Sequence, residues 1–125
     1  MANPQMVAER VIILSLDGTI QQIQTGSNPL LVQRAVIAFD EDVVADALIQ
    51  HSGTTGAIPA SVTTSTANYS LPAAGGREVA VEPYKEFPND GAARTDLRHW
   101  FIKMSASGGK ARVRYWQMAE DVTPT

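Results

Sequence analysis

Two runs rich in aromatic and β-branched residues meet at a Gly-Gly dipeptide near the C-terminal end of this chain, and this feature constrains the fold most. The first run spans residues 98–104, the second spans residues 110–118, and Gly108-Gly109 lies between them. Two glycines can adopt the positive φ angles of a two-residue hairpin turn at little steric cost. The sequence therefore predicts a β-hairpin in which Ser107 faces Lys110.

This register determines which side chains share a face, because side chains alternate along a strand. One face is apolar and needs a core; its members are Trp100, Ile102, Met104, Ala111, Val113 and Tyr115. The opposite face is aromatic and basic; its members are Phe101, Lys103, Arg112, Arg114 and Trp116. In this register Lys103 stands opposite Arg114, and like charges opposed across a ladder are destabilising. The second face therefore indicates a protein partner rather than solvent.

The charge of the chain supports a partner for this basic face. The net charge is −3, but residues 94–118 contain six basic residues and one acidic residue, so the rest of the chain carries −8. Three acids are consecutive at Asp40, Glu41 and Asp42. We expect the basic face to meet these acids on an adjacent copy, or an acidic strip on another protein, with Trp116 as the buried anchor. An acidic chain disfavours nucleic acid as the partner.

Length and composition predict a single β domain over residues 1–125. A chain of this size can bury a core without a second domain. It contains no cysteine, which excludes disulfides and thiolate chemistry. No apolar run approaches the roughly 20 residues of a membrane span, so we expect no membrane partner and no signal peptide. We expect residues 1–8 and 119–125 to be flexible tails.

The remaining segments are mostly strand signals separated by turns. Residues 10–16 and 19–24 flank Asp17-Gly18, which predicts a second hairpin. Residues 30–39 favour a strand, although an apolar stripe also fits a helix. Residues 43–50 leave a short helix and a strand open.

A long stretch of small residues interrupts this pattern between residues 53 and 76. Its side chains offer little to bury, so the sequence predicts a long loop or assembly arm that neighbouring subunits order, or weak edge strands around Val62 and Tyr69. The alternating residues 77–82 predict a strand that ends at Pro83.

No pattern in the sequence indicates catalysis. His51 and His99 are the two histidines, and neither has another histidine, cysteine or carboxylate at a ligand spacing such as i, i+4. We expect His99 on the outer face of the predicted hairpin. The sequence thus predicts no catalytic residues, no metal site and no cofactor, and indicates that the protein is not an enzyme.

These signals together predict a mainly β fold, an antiparallel β-sandwich or small β-barrel with long loops and at most one short helix. The small-residue stretch 53–76, the lack of cysteine and the closing run 110–116 resemble small structural proteins of tailed-phage virions, namely head decoration or cement proteins and tail components. The resemblance implies a non-enzymatic virion component, made in the host cytoplasm. It also implies a homo-oligomer, with a trimer favoured, that docks on a lattice such as a major capsid protein. A carbohydrate- or receptor-binding β-module that uses exposed aromatic residues, such as a tail component, is the alternative.

Overall fold

The computed structural model describes residues 10–40, 43, 45–52, 57–71, 78–83, 88–91 and 93–118. These residues form short β-strands joined by loops, with a single 3₁₀ turn at Leu97–His99. The strands are β1 (Arg10–Ser15), β2 (Ile20–Gln22), β3 (Leu31–Val32), β4 (Arg34–Phe39), β5 (Ala47–His51), β6 (Tyr69–Leu71), β7 (Glu78–Val81), β8 (Thr95–Asp96), β9 (Trp100–Met104) and β10 (Lys110–Trp116).

Two four-stranded antiparallel sheets make up most of the fold. The first sheet has the order β1-β10-β4-β7, the second has the order β2-β9-β5-β6, and β3 pairs with β8 separately. Strands that are consecutive in the chain, such as β1 and β2 or β9 and β10, hold equivalent positions in the two sheets. The strands therefore form four consecutive pairs: β1 with β2, β4 with β5, β6 with β7, and β9 with β10. Each pair contributes one strand to the first sheet and one to the second.

Backbone hydrogen bonds continue across the bends between the two sheets. The amide of Leu16 donates to the carbonyl of Gly109 at 3.1 Å, and the amide of Gly108 donates to the carbonyl of Leu16 at 2.9 Å. On the other side of the same segment, the amide of Ser105 donates to the carbonyl of Asp46 at 3.0 Å. Neighbouring segments thus remain paired where they bend, which is how strands commonly switch sheets at the corner of a sandwich.

The two predicted hairpins are wrong. β9 pairs with β2 and β5, whereas β10 pairs with β1 and β4, so residues 105–109 carry the chain between sheets instead of reversing it. Asp17-Gly18 likewise joins β1 to β2 in different sheets. The glycines do adopt positive φ, at +82° for Gly18, +123° for Gly108 and +79° for Gly109. Positive φ permits a bend as well as a reversal, and here it serves a bend.

The predicted apolar face of the two runs is correct even though their pairing is not. Trp100, Ile102 and Met104 of the second sheet and Ala111, Val113 and Tyr115 of the first all belong to one buried cluster. The same cluster includes Ala35, Ile37 and Phe39 from β4 and Ala47 and Ile49 from β5. The sheets therefore pack face to face around a shared core, and the prediction of a mainly antiparallel β fold, consistent with a β-sandwich, is confirmed.

The structure also decides several segments that the sequence left open. Residues 30–39 form strands β3 and β4, and the strand alternative for residues 43–50 is correct from Ala47 onward. Tyr69 begins a short edge strand as one alternative predicted, whereas Val62 lies in a loop and is nevertheless only 1% exposed. The two predicted tails, residues 53–56 and residues 72–77 lie outside the described residues. The described part of the chain contains no helix of the length and hydrophobicity needed to cross a membrane.

Candidate functional site

Three residues of the predicted binding face lie together on the outer face of the first sheet. Along β10, Arg112, Arg114 and Trp116 alternate with the buried core residues, so their side chains point away from the core. The side chains of Arg112 and Arg114 are 51% and 39% exposed. This part of the predicted face is accessible at the surface.

The acids that contact these arginines belong to the same chain. Arg112 Nε lies 3.0 Å from Asp40 Oδ1, and Arg114 Nη2 lies 3.4 Å from Glu78 Oε2. Glu41 and Asp42, the other two acids predicted to meet the basic face, lie outside the described residues. Asp40 therefore contacts Arg112 within one subunit, whereas the sequence analysis expected this acid to come from an adjacent copy.

Trp116 is held in a similar way by its own subunit. The guanidinium carbon of Arg34 lies 5.2 Å from the centroid of the Trp116 ring, within the range of a cation–π contact. Arg34 Nε also lies 3.3 Å from Glu82 Oε1. The outer face of the first sheet therefore carries three arginine–carboxylate pairs that neutralise most of its charge.

Two exposed apolar side chains flank these arginines, and the sequence analysis did not single them out. Val11 is 49% exposed and Ile13 is 54% exposed, and they stand directly opposite Arg114 and Arg112 in the β1–β10 register. β1 is the edge of the first sheet, and no strand among the described residues pairs with its outer side. We call Val11 and Ile13 the β1 apolar strip.

Lys103 and Phe101 do not belong to this face, because β9 is in the other sheet. Lys103 stands opposite Ile20 and Leu48 rather than Arg114, so the predicted opposition of like charges does not exist. It lines a surface cleft together with Leu48 and Ser70. Phe101 is 0% exposed and cannot contact a partner in this conformation.

A loop from the small-residue stretch, which includes Thr66 and Asn68, lies against the second sheet on the face that carries Phe101. Gln50 is the register partner of Phe101, and the hydroxyl of Thr66 donates to Gln50 Oε1 at 2.7 Å. The amide of Asn68 donates to the carbonyl of Ile49 at 2.8 Å. Val62 and Phe101 are both buried without belonging to the central cluster. The described middle of the stretch is therefore part of the subunit's own fold.

A second, buried site joins the two histidines to Asp90. His51 ends β5, His99 ends the 3₁₀ turn before β9, and Asp90 lies in the loop that precedes β8. His51 Nε2 is 3.3 Å from Asp90 Oδ2, and His99 Nδ1 is 3.0 Å from Asp90 Oδ1. The side chains of His51, Asp90 and His99 are 9%, 6% and 7% exposed. The predicted position of His99 on an outer face is wrong.

Other groups hold the Asp90 carboxylate in place. Its Oδ2 accepts hydrogen bonds from the amide of Asp96 at 2.7 Å and from the hydroxyl of Thr95 at 3.0 Å. Trp100 Nε1 in turn donates to that hydroxyl at 2.7 Å. Burial raises the pKa of Asp90, but these hydrogen bonds and those from the histidines outweigh it, and the pKa lies below its ordinary value. Asp90 is therefore an ionised carboxylate between two imidazoles.

Asp96 adds a second buried acid beside this cluster. Its Oδ2 lies 2.8 Å from Arg98 Nη2 and 3.7 Å from His99 Nε2. Burial raises the pKa of Asp96, yet hydrogen bonds from Arg98 and from the amide of Leu30 lower it below the ordinary value. Two carboxylates and one guanidinium thus lie beside the histidines.

The sequence does not reveal this cluster, because its members come from three distant segments. His51 and His99 become neighbours because β5 and β9 pair. This pairing places His51 opposite Trp100, the residue that follows His99. No pattern in the sequence indicates that Asp90 would lie against both histidines. Comparison of the chain with protein-family models and with curated proteins gives no match.

Proposed function

We propose that this chain is a non-enzymatic assembly protein that self-associates through the outer edge of its first sheet. The observation that carries the proposal is the β1 apolar strip, in which Val11 and Ile13 are about half exposed on an edge strand. An edge strand that presents free backbone groups and apolar side chains is a template for pairing with another strand. Isolated domains usually protect such an edge with charged side chains or proline.

A second copy of the chain fits this edge better than an unrelated strand. Antiparallel pairing of two β1 strands centred on Ile12 places Val11 opposite Ile13 of the partner subunit, so apolar side chains meet apolar side chains on the outer face. The two cations that stand opposite the strip in the β1–β10 register, Arg112 and Arg114, are already paired with Asp40 and Glu78. In the proposed register Arg10 of β1 faces Leu14 of the second copy, so two copies can approach without placing Arg10 opposite Arg10.

The alternative, a carbohydrate- or receptor-binding module, has less support from the aromatic residues. It requires exposed rings around β9 and β10, but Trp100 and Phe101 are 0% exposed and Tyr115 is 9% exposed. Trp116 is partly exposed, but Arg34 contacts its ring, and β10 presents no second aromatic side chain on that face. A virion lattice as a further partner, and the trimeric state, remain predictions of the resemblance.

Sedimentation velocity on the purified chain tests self-association. We expect wild-type protein to form oligomers as its concentration rises, and Val11→Lys and Ile13→Lys to remain monomeric with unchanged circular dichroism. Ser70→Lys is the matched control, because Ser70 is an exposed residue of an edge strand in the other sheet. It should associate like wild type.

The same measurement distinguishes the geometry of assembly. A dimer supports pairing of two β1 edges, whereas a trimer means that β1 meets a different surface of the next copy. A wild-type chain that stays monomeric, or a Ser70→Lys variant that dissociates as fully as Ile13→Lys, would overturn the proposal.

A further inference from the structure

We propose that His51, Asp90 and His99 form a binding site for a divalent transition-metal ion, with Zn²⁺ the preferred ion. One ring nitrogen of each histidine and one carboxylate oxygen of Asp90 all lie within 4.8 Å of one another, and no other such group of three occurs in the part of the chain that the structure describes. The three residues come from separate segments of the chain. Their convergence is a product of the fold and not of a local turn.

The spacing of the three groups suits tetrahedral coordination. Ligand atoms that are each about 2.0–2.1 Å from a zinc ion at tetrahedral angles are separated by about 3.4 Å. His51 Nε2 lies 3.3 Å from Asp90 Oδ2, and His99 Nδ1 lies 3.0 Å from the other carboxylate oxygen, Oδ1. An ion held by both nitrogens and one Asp90 oxygen would replace these two contacts, with a turn of the carboxylate that brings that oxygen to both histidines.

The surroundings supply the outer interactions that metal ligands need. Carboxylate ligands are usually held by further hydrogen bonds, and Asp90 is held by the amide of Asp96 and the hydroxyl of Thr95. A histidine ligand commonly directs its second nitrogen to a carboxylate, and His99 Nε2 lies 3.7 Å from Asp96 Oδ2. Ligand and support are therefore both present.

The chemistry of the donor set selects the ion. Two imidazoles and one carboxylate match zinc and similar transition metals, whereas calcium and magnesium prefer oxygen ligands alone. Asp90 and Asp96 carry two negative charges against the single positive charge of Arg98 beside them. With three protein ligands, the fourth position is open to water. Bound metal would fasten the loop at Asp90 to strands β5 and β9.

Isothermal titration of tag-free, chelator-treated protein with Zn²⁺ tests the site. We expect one ion per chain, a raised melting temperature, and intense visible absorption with Co²⁺ as the probe of tetrahedral coordination. Histidine ¹H–¹⁵N spectra of the wild type should show zinc-dependent shifts at Nε2 of His51 and Nδ1 of His99. These spectra require no variant, so the test does not depend on whether a mutated interior still folds.

Two variants and a control complete the test. His51→Gln and Asp90→Asn should each weaken Zn²⁺ affinity by at least about 100-fold, because ligand losses exceed the 10–100-fold effects of outer residues. Asp17→Asn makes the same change in an exposed carboxylate outside the cluster and should leave affinity unchanged. Wild-type protein that shows no zinc-dependent histidine shifts would overturn the proposal and leave a hydrogen-bonded cluster only. Undiminished affinity in folded His51→Gln would overturn it as well. Failure here would leave the assembly proposal untouched, because the β1 edge is not part of this cluster.

Discussion

Asp96 shows how one buried carboxylate can influence the acid stability of the chain. It is 2% exposed and accepts hydrogen bonds from the amides of Leu30 and Arg98 and from the Arg98 guanidinium. Its pKa is lower in the folded protein than its ordinary value. The ionised form therefore stabilises the fold, fully so above the unfolded-state pKa of about 3.9, and this contribution is lost as pH falls through the folded-state pKa.

Replacing Asp96 with asparagine should reveal this dependence. We expect Asp96→Asn to lower the free energy of unfolding by about 2 kcal/mol at pH 7, because charged hydrogen bonds contribute about 1.5–3 kcal/mol. The difference from wild type should shrink as pH falls below about 4. Urea denaturation of both proteins in the presence of chelator measures it. A difference that is the same at pH 7 and at pH 3 would assign the loss to packing instead of charge.

Gly18 is required by both its conformation and its neighbour. Its φ is +82°, and a Cβ at this position would lie 3.3 Å from the backbone nitrogen of Ser107. We expect Gly18→Ala to cost about 1–3 kcal/mol, as strained backbone positions do. Thermal melts compare Gly18→Ala with wild type. An unchanged melting temperature would mean that the bend relaxes to accept both the Cβ and its contact with Ser107 at no cost.

At the scale of elements, the sequence predicts strands well and their partners poorly. Alternation is local, so it assigned Ala111, Val113 and Tyr115 to the core correctly. The pairing of β9 and β10 was inferred from Gly108-Gly109, and glycine conformations alone do not distinguish a reversal from a bend. Partner choice depends on packing of the whole sandwich. That error moved Phe101 and Lys103 to the wrong sheet.

Phe101 and Trp116 should therefore differ sharply when truncated. Phe101 is fully buried, so Phe101→Ala should lower the free energy of unfolding by about 3–5 kcal/mol. Trp116 is partly exposed and has Arg34 as its ring contact, so Trp116→Ala should cost about 1 kcal/mol. Chemical denaturation compares them. Similar losses would indicate that Phe101 is not covered in solution.

The candidate sites follow from the molecule as a whole. His51 and His99 become neighbours because β5 and β9 pair within the second sheet, and Asp90 reaches them from a loop. No spacing rule applied along the sequence could detect that contact, since metal-ligand patterns describe residues on one helix or in one loop. Arg112 and Arg114 were recognised as surface residues because alternation suffices for that. Asp40 was assigned to another copy because it is far from Arg112 in sequence, and Glu78 was not identified as a partner of Arg114.

The pairing of these charges inside one subunit changes the salt dependence expected of assembly. The sequence alone suggests that salt slows assembly by screening attraction between a basic and an acidic surface. In the structure Arg34, Arg112 and Arg114 each have a carboxylate of their own chain. Contact between copies then depends on the β1 apolar strip, and apolar burial is not weakened by screening.

Raising the ionic strength from about 0.01 M to about 1 M shortens the screening length from about 30 Å to about 3 Å. We nevertheless expect the dissociation constant of the wild-type oligomer to change by less than about tenfold over this range. The double variant Asp40→Asn, Glu78→Gln removes the acids that pair with Arg112 and Arg114. It should associate weakly at low salt, because two uncompensated cations adjoin the β1 edge, and should recover as salt screens them. Sedimentation at several salt concentrations measures both proteins. Wild-type association that weakens steeply with salt would instead place a charged contact between copies, as the sequence alone suggests.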